Sequence, residues 1–242
     1  MNISFSHIKA LCFDFGNTLV EYGPAQVAYQ YKKLVNTLTD LFGRCDSEHL
    51  KTIRDRQMVA PFSNGYREND LRSICEELIS ELYRIIPEKD QIDALMEERY
   101  NAFVDVVTLP DDVPPLLHNL SRRYRLGLLS NYPCGRSVRD SLKKIGLSDV
   151  FESIVVSGEV GFVKPHTQPF ETLLNELGLS PSECVYVGDN WLADVQGAKQ
   201  IGMMAILTTQ YVPYETFEPS EGDYAPDVYI DHLEKLNELL MG

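Results

Sequence analysis

The sequence predicts an α/β fold: a parallel sheet with an α-helical subdomain inserted into it. Two observations carry this expectation. Short runs that are apolar throughout recur along the chain, each followed by turn residues and a helical pattern. One interval, from residue 14 to residue 125, shows helical periodicity and no strand signal. A run apolar at every position suits a strand buried on both faces, and the helices between such runs suit right-handed crossovers joining parallel strands.

The runs are Lys9–Phe13, Leu126–Leu129, Ile154–Val156, Val185–Val187, Ala205–Leu207 and Val228–Ile230. Gly23-Pro24 opens the strand-free interval, and Pro110, Pro114 and Pro115 mark its return. Within it, Ala25–Phe42, Asp70–Ile86 and Asp90–Val107 carry helical spacing, and the turn-rich piece Pro61-Phe62-Ser63-Asn64-Gly65 separates two of these helices. The expected division is therefore a core of residues 1–22 and 109–242 with a helical insert at 23–108. Ser180-Pro181-Ser182-Glu183 has capping-box spacing with proline at the first helical position, so a short helical turn is expected there. Pro213–Pro226 reads as a surface loop, and Leu233–Met241 as a closing helix.

Composition narrows the function. At 44% hydrophobic and 24% charged, the chain has the balance of a soluble globular protein, which excludes disorder or a fibrous repeat as the main state. Its formal net charge is −14. Such a surface repels phosphate backbones and anionic lipid, so neither nucleic acid nor a membrane is the expected partner. A phosphorylated substrate would need a local cation. No apolar run approaches the roughly 20 residues that span a bilayer, and no cationic start leads into an apolar stretch, so no secretory leader is expected. Cys12, Cys45, Cys75, Cys134 and Cys184 are scattered, with no C-x-x-C pair, which points to a reducing compartment and a cytoplasmic location.

In an open α/β sheet, ligands bind beyond the carboxyl ends of the strands. The first run is followed by Asp14-Phe15-Gly16-Asn17-Thr18-Leu19 and the second by Ser130-Asn131. Beyond the third lies Lys164-Pro165, and beyond the fourth Gly188-Asp189-Asn190-Trp191-Leu192-Ala193-Asp194. Any one of these alone could be a cap, a turn or a solvated side chain. Together, in this order, they resemble the four motifs of the haloacid dehalogenase superfamily of aspartate-nucleophile hydrolases. The resemblance covers most of residues 8–210, and the inserted helices look like that family's helical cap.

The resemblance implies a Rossmann-like core and a set of roles. Asp14 would be the nucleophile, attacking phosphorus to give an aspartyl-phosphate that water later hydrolyses. Three carboxylates facing a phosphate dianion repel it, so Mg2+ is the implied cofactor, held by Asp14, Asp189, Asp194 and the main-chain carbonyl of Gly16. Lys164 would add a positive charge toward the phosphoryl oxygens or toward the acidic cluster. Ser130, with the amide of Asn131, would donate hydrogen bonds to those oxygens. Thr18 would position the nucleophile loop. A small phosphorylated metabolite is the implied partner.

One position departs from the pattern. Phosphatases of the family commonly carry a second aspartate two residues after the nucleophile, as proton donor to the leaving oxygen; here that residue is Gly16. General acid–base help is worth about 10²–10⁴-fold. Three readings stay open: a phosphatase whose leaving group needs no proton or whose cap supplies one, a dehalogenase- or phosphonatase-like hydrolase, or a non-catalytic metal- or phosphate-binding module. Family dehalogenases work without metal and usually lose the Gly-Asp acid of the fourth motif, whereas Asp189 and Asp194 are present here, which favours phosphoryl chemistry. A phosphonatase would need a cap lysine, for which Lys51 is the candidate. Lys51, Arg54, Arg56 and Arg67 flank the Pro61–Gly65 turn and could meet a second anionic group, although a mixed-charge helix surface explains them as well. His166 and Trp191 are the weaker site candidates.

Overall fold

The computed structural model describes residues 5–212 and 222–241. One parallel sheet runs, edge to edge, through β3 (Ser153–Val156), β2 (Arg125–Ser130), β1 (Ala10–Phe13), β4 (Cys184–Gly188), β5 (Met204–Thr208) and β6 (Val228–Ile230). All six expected strands are present, and this is the Rossmann-like α/β core. Strand order proceeds from β1 toward β3 on one side and from β4 toward β6 on the other, so it reverses between β1 and β4. That switch point leaves a crevice at the strands' carboxyl ends. Both faces of the sheet are covered: Leu11 and Phe13 of β1 enter one apolar cluster, and Ala10 and Cys12 enter another on the opposite face. This accounts for a strand with no polar position.

Between β1 and β2 come first the four helices of the insert: α1 (Pro24–Phe42), α2 (Ser47–Ser63), α3 (Leu71–Tyr83) and α4 (Lys89–Val106). They enclose a third apolar cluster that includes Leu38, Leu50, Ile53, Leu78, Ile79 and Leu95. The sequence reading expected three helices and missed α2. Its buried positions are Leu50, Ile53, Gln57 and Pro61, so half of its inward stripe is a glutamine and a proline. Asp46 starts it by accepting from the His49 N–H at 3.1 Å. Pro61, expected in a turn, sits in its last turn and cannot donate to the Gln57 carbonyl. The Asn69 side-chain amide satisfies that carbonyl instead, at 2.8 Å.

The connector from α2 to α3 is fastened to the core. Val163 N–H donates to the Tyr66 carbonyl at 2.8 Å, Glu68 N–H to the Gly161 carbonyl at 3.0 Å, and the Glu68 carboxylate accepts from Ser157 Oγ. The helical layer is thereby tied to the segment that delivers Lys164.

Back in the core, α5 (Val113–Ser121) precedes β2, α6 (Gly135–Lys144) precedes β3, and α7 (Ser157–Val160) and α8 (Thr167–Leu177) lead toward β4. The expected capping box at Ser180–Glu183 forms and begins a 3₁₀ turn. After β4 a π-helical turn, Trp191–Gln196, runs into α9 (Gly197–Gln200). The last helix, α10 (Lys235–Met241), starts two residues later than expected. Of the expected Pro213–Pro226 loop, residues 213–221 lie outside the described residues; the remainder leads into β6 without regular structure.

Candidate active site

The ends of β1, β2 and β4, with the Lys164 segment, converge at the switch point around a cavity of about 420 Å³. Asp14 leaves β1 as the sheet ends: its N–H still donates to the Val187 carbonyl of β4 at 2.9 Å, which fixes its backbone. The chain then folds into a tight turn in which Leu19 and Val20 donate to the Phe15 carbonyl and Asn17 donates to Val20. Asn17 adopts φ 56°, a left-handed conformation that asparagine tolerates, and its side chain accepts from the Tyr22 N–H at 2.9 Å. Among the described residues these bonds use the Phe15 and Val20 carbonyls and not that of Gly16, which lines the cavity.

Lys164 is the centre of the polar cluster. Its side chain is only 2% exposed, and its ammonium donates to Asp14 Oδ1 at 2.6 Å, Asp194 Oδ1 at 2.7 Å, the Tyr186 hydroxyl at 2.9 Å and the Leu129 carbonyl at 3.1 Å. Burial opposes that charge, but the carboxylates of Asp14 and Asp194 outweigh it and hold the lysine above its ordinary pKa. Asn131 clamps the same residue by its backbone, accepting from Lys164 N–H at 2.8 Å and donating to its carbonyl at 3.1 Å.

The three carboxylates of Asp14, Asp189 and Asp194 each bring an oxygen within 4.8 Å of the others. Asp194 reaches this position from the π-helical turn, whose start is capped by Asn190 and not by Asp194 itself. Its second oxygen accepts from Asn190 N–H at 2.9 Å. Gly188 permits the approach, since a Cβ there would lie 2.3 Å from Asp194 Oδ2. Burial pushes Asp14 up to about 6 despite Lys164, with Asp194 adding to the rise. Asp189, half-buried and without a cation of its own, is pushed up to about 8, first by burial and then by the charges of Asp14 and Asp194. These are hard oxygen donors carrying more negative charge than one lysine offsets, a donor set that suits a divalent cation such as magnesium.

The model of the haloacid dehalogenase-like hydrolases matches residues 11–208. The chain belongs to that family. It is 32% identical to glyceraldehyde 3-phosphate phosphatase of Methanothermobacter thermautotrophicus, over 96% of this chain and 100% of that protein. It is 28% identical to human N-acylneuraminate-9-phosphatase, over 85% of this chain and 84% of the relative. Among solved structures, a 2-haloacid dehalogenase from Pseudomonas syringae superposes with a TM-score of 0.75 at 26% identity, covering 97% of this chain and 98% of that one. The chain is thus a family hydrolase with phosphatases among its relatives.

Within the family framework, the residues singled out from sequence fall in different places. Asp14, Gly16, Ser130, Asn131, Lys164, Asp189 and Asp194 all line the cavity. Thr18 is fully buried within the turn that follows Asp14, and its hydroxyl has no hydrogen-bond partner among the described residues, so any positioning it provides comes from packing. His166 caps α8 and stacks on Phe162 at 4.1 Å, and Trp191 is 4% exposed within the core; neither lines the cavity. Lys51 is exposed and does not line it either. Arg56 pairs with Glu77 and Glu81, Arg67 lies over Phe162, and Arg54, half-buried over Tyr31, lines a separate small cavity; none of the three lines the site. Sequence reasoning missed the apolar side of the cavity: Tyr22, Met58, Phe62, Phe103 and Tyr132. Only Tyr132, two residues beyond Ser130 at a strand exit, carried a usable signal.

Proposed function

We propose that this hydrolase is a magnesium-dependent phosphatase that acts on a small phosphorylated metabolite through an aspartyl-phosphate at Asp14. The observation that carries the reading is the buried cluster in which Lys164 bridges Asp14 and Asp194 while Asp189 stands within reach of both. Asp14, Asp189, Asp194 and the Gly16 carbonyl would hold the metal, which when bound would neutralise the carboxylates and polarise the phosphoryl group. Lys164 keeps one Asp14 oxygen oriented, leaving the other to attack phosphorus in line. Ser130 Oγ and the Asn131 amide would donate to the phosphoryl oxygens as charge builds on them. Residues 23–108 would act as a cap that closes over the cavity, with 1–22 and 109–242 as the core and Tyr22-Gly23-Pro24 and Thr108-Leu109-Pro110 as hinges. With Gly16 in place of an acid, turnover favours leaving groups that are weak bases. The unpaired cysteines fit a cytoplasmic setting.

The second reading, a dehalogenase, draws on two observations: the absent acid at Gly16 and the superposition on a 2-haloacid dehalogenase. Against it stand the retained Asp189 and Asp194 and a cavity whose one cation, among the described residues, is already engaged by two carboxylates, leaving none for the carboxylate of a haloacid.

Purified protein offered p-nitrophenyl phosphate and 2-chloropropionate, each with magnesium and with chelator, separates the readings. Phosphate release that chelator stops supports the phosphatase; chloride release indifferent to chelator overturns it. Asp14→Asn should abolish turnover in a folded protein, and retained activity would remove the nucleophile assignment.

A further inference from the structure

The cavity has two unlike halves. Its floor holds every charged group that lines it: Asp14, Lys164, Asp189 and Asp194. The three asparagines on that side turn their side-chain oxygens to the backbone. Asn17 accepts from Tyr22 N–H, Asn131 from Lys164 N–H and Asn190 from Ala193 N–H. The opposite wall is Tyr22, Met58, Phe62, Phe103 and Tyr132.

That wall is largely an aromatic surface. The Phe103 ring lies 4.0 Å from Tyr132 and 5.5 Å from Tyr22, centroid to centroid. The Tyr22 hydroxyl accepts from Gln30 on α1. Tyr132 also lines a small second cavity with Arg54 and Arg99, and neither of those guanidinium groups lines the site itself. Met58 and Phe62, one turn apart on α2, are 69% and 45% exposed, two large apolar side chains left in solvent where they line the cavity. No cation stands on this wall, and the Lys164 ammonium already has four acceptors.

We infer that the group carried by the phosphoryl is an uncharged aromatic one, which makes the substrate class aryl phosphates in preference to sugar phosphates, bisphosphates or phosphorylated acids. This rests on the phosphatase reading and deepens it. The aromatic body would lie against Phe103 and Tyr132, in the offset or edge-on geometries that rings prefer, with Met58 and Phe62 covering it. The same class answers the missing acid. As Asp14 Oδ bonds to phosphorus, the P–O(aryl) bond breaks and its electron pair leaves on the phenolate, a weak base that takes its proton from water. Water then cleaves the aspartyl-phosphate to inorganic phosphate and the free carboxylate.

The test is calorimetric binding, in the presence of magnesium, of naphthylphosphonate, methylphosphonate and phosphonoacetate, none of which can turn over by loss of an oxygen leaving group. Naphthylphosphonate should bind at least about tenfold tighter than methylphosphonate, a difference of about 1.4 kcal/mol, and phosphonoacetate no tighter than methylphosphonate. Phe62→Ala should narrow the first ratio. Equal affinities for the aromatic and methyl compounds, or the tightest binding by phosphonoacetate, overturn the inference. Phosphate release from p-nitrophenyl phosphate, run in parallel, checks the underlying reading. Release with equal phosphonate affinities sinks the aryl assignment alone. No release with tight naphthylphosphonate binding sinks the phosphatase and keeps the ligand class.

Discussion

Gly16→Asp is the perturbation that most directly examines why this site lacks a second acid. The structure sets the steric term. A Cβ on Gly16 would stand 3.3 Å from Tyr22 Cβ and 3.6 Å from Tyr22 Cγ, so the Tyr22 side chain must retreat by a few tenths of an ångström. Overpacking of this kind costs about 1–3 kcal/mol. Gly16→Ala carries that crowding without the carboxyl and is the proper reference. The new carboxyl would sit beside Asp14, Asp189 and Asp194, and like charges nearby disfavour its ionised form, which suits a proton donor.

A positioned acid contributes about 10²–10⁴-fold, or about 3–5 kcal/mol of barrier, and only where the leaving oxygen is a strong base. Phosphate release should be measured at saturating magnesium for wild type, Gly16→Ala and Gly16→Asp, on glycerol phosphate and on p-nitrophenyl phosphate. On the alkyl ester, Gly16→Asp should exceed Gly16→Ala by about 10²-fold or more; on the aryl ester the two should nearly match. An equal ratio on both esters, in folded protein, would refute the missing-acid reasoning.

Other outcomes follow from the same cluster. Lys164→Met should lower the thermal midpoint of the magnesium-free protein, because removing one partner of a buried ion pair costs about 3–5 kcal/mol, and magnesium should recover part of the loss; an unchanged midpoint would show that the ammonium does not hold the carboxylates. Ser130→Ala should lower kcat by about 10²–10³-fold, as loss of a transition-state donor does, with KM moving less; a change confined to KM would make Ser130 a ground-state contact. In the magnesium-free protein, Asp14 and Asp189 are raised to about 6 and about 8, so the folded form keeps protons that the unfolded chain releases. Their stabilising contribution is full below the ordinary carboxylate value of 3.8 and is lost as pH climbs through 6 and then 8. The gain in melting temperature on adding magnesium should therefore grow over that window, and a gain that shrinks with rising pH would contradict the assignment.

What could be read from sequence was what local chemistry fixes. Strands buried on both faces have no polar positions, so β1 and β4 stood out, and the residues just beyond them had to lie at the sheet's carboxyl edge. That placed Asp14, Ser130 and Asp189 before any coordinates. Lys164 was found by its place in the motif order, but its contacts were not: four acceptors, from the end of β1, from β2, from β4 and from the π-helical turn, meet at its nitrogen, and no local pattern encodes that. Helix α2 was missed because Gln57 and Pro61 occupy inward positions that periodicity expects to be apolar. With α2 went Met58 and Phe62, whose sequence neighbourhood reads as a turn. The aromatic wall draws Tyr22, Phe103 and Tyr132 from three separate segments, and only the packing of helices onto the core brings their rings together.

Charge counting links these observations to chemistry. With Asp14, Asp189 and Asp194 ionised and Lys164 charged, the cluster carries two negative charges beyond neutrality, in a chain that is already at −14. Left alone, the protein holds protons there, because burial first and the neighbouring carboxylates second raise Asp14 and Asp189. A proton on Asp14, however, occupies the oxygen that would attack phosphorus. On the proposed mechanism a dication would remove the same two charges and leave Asp14 nucleophilic, so proton and magnesium would compete for one electrostatic role and the metal alone would be compatible with attack by Asp14. Lys164 cannot substitute for it, because its one positive charge is already shared between two carboxylates and its ammonium is fixed at the cavity floor by Leu129 and Tyr186 as well. The lysine sets the geometry of Asp14 and Asp194, and on the proposed mechanism a divalent cation would complete the charge balance.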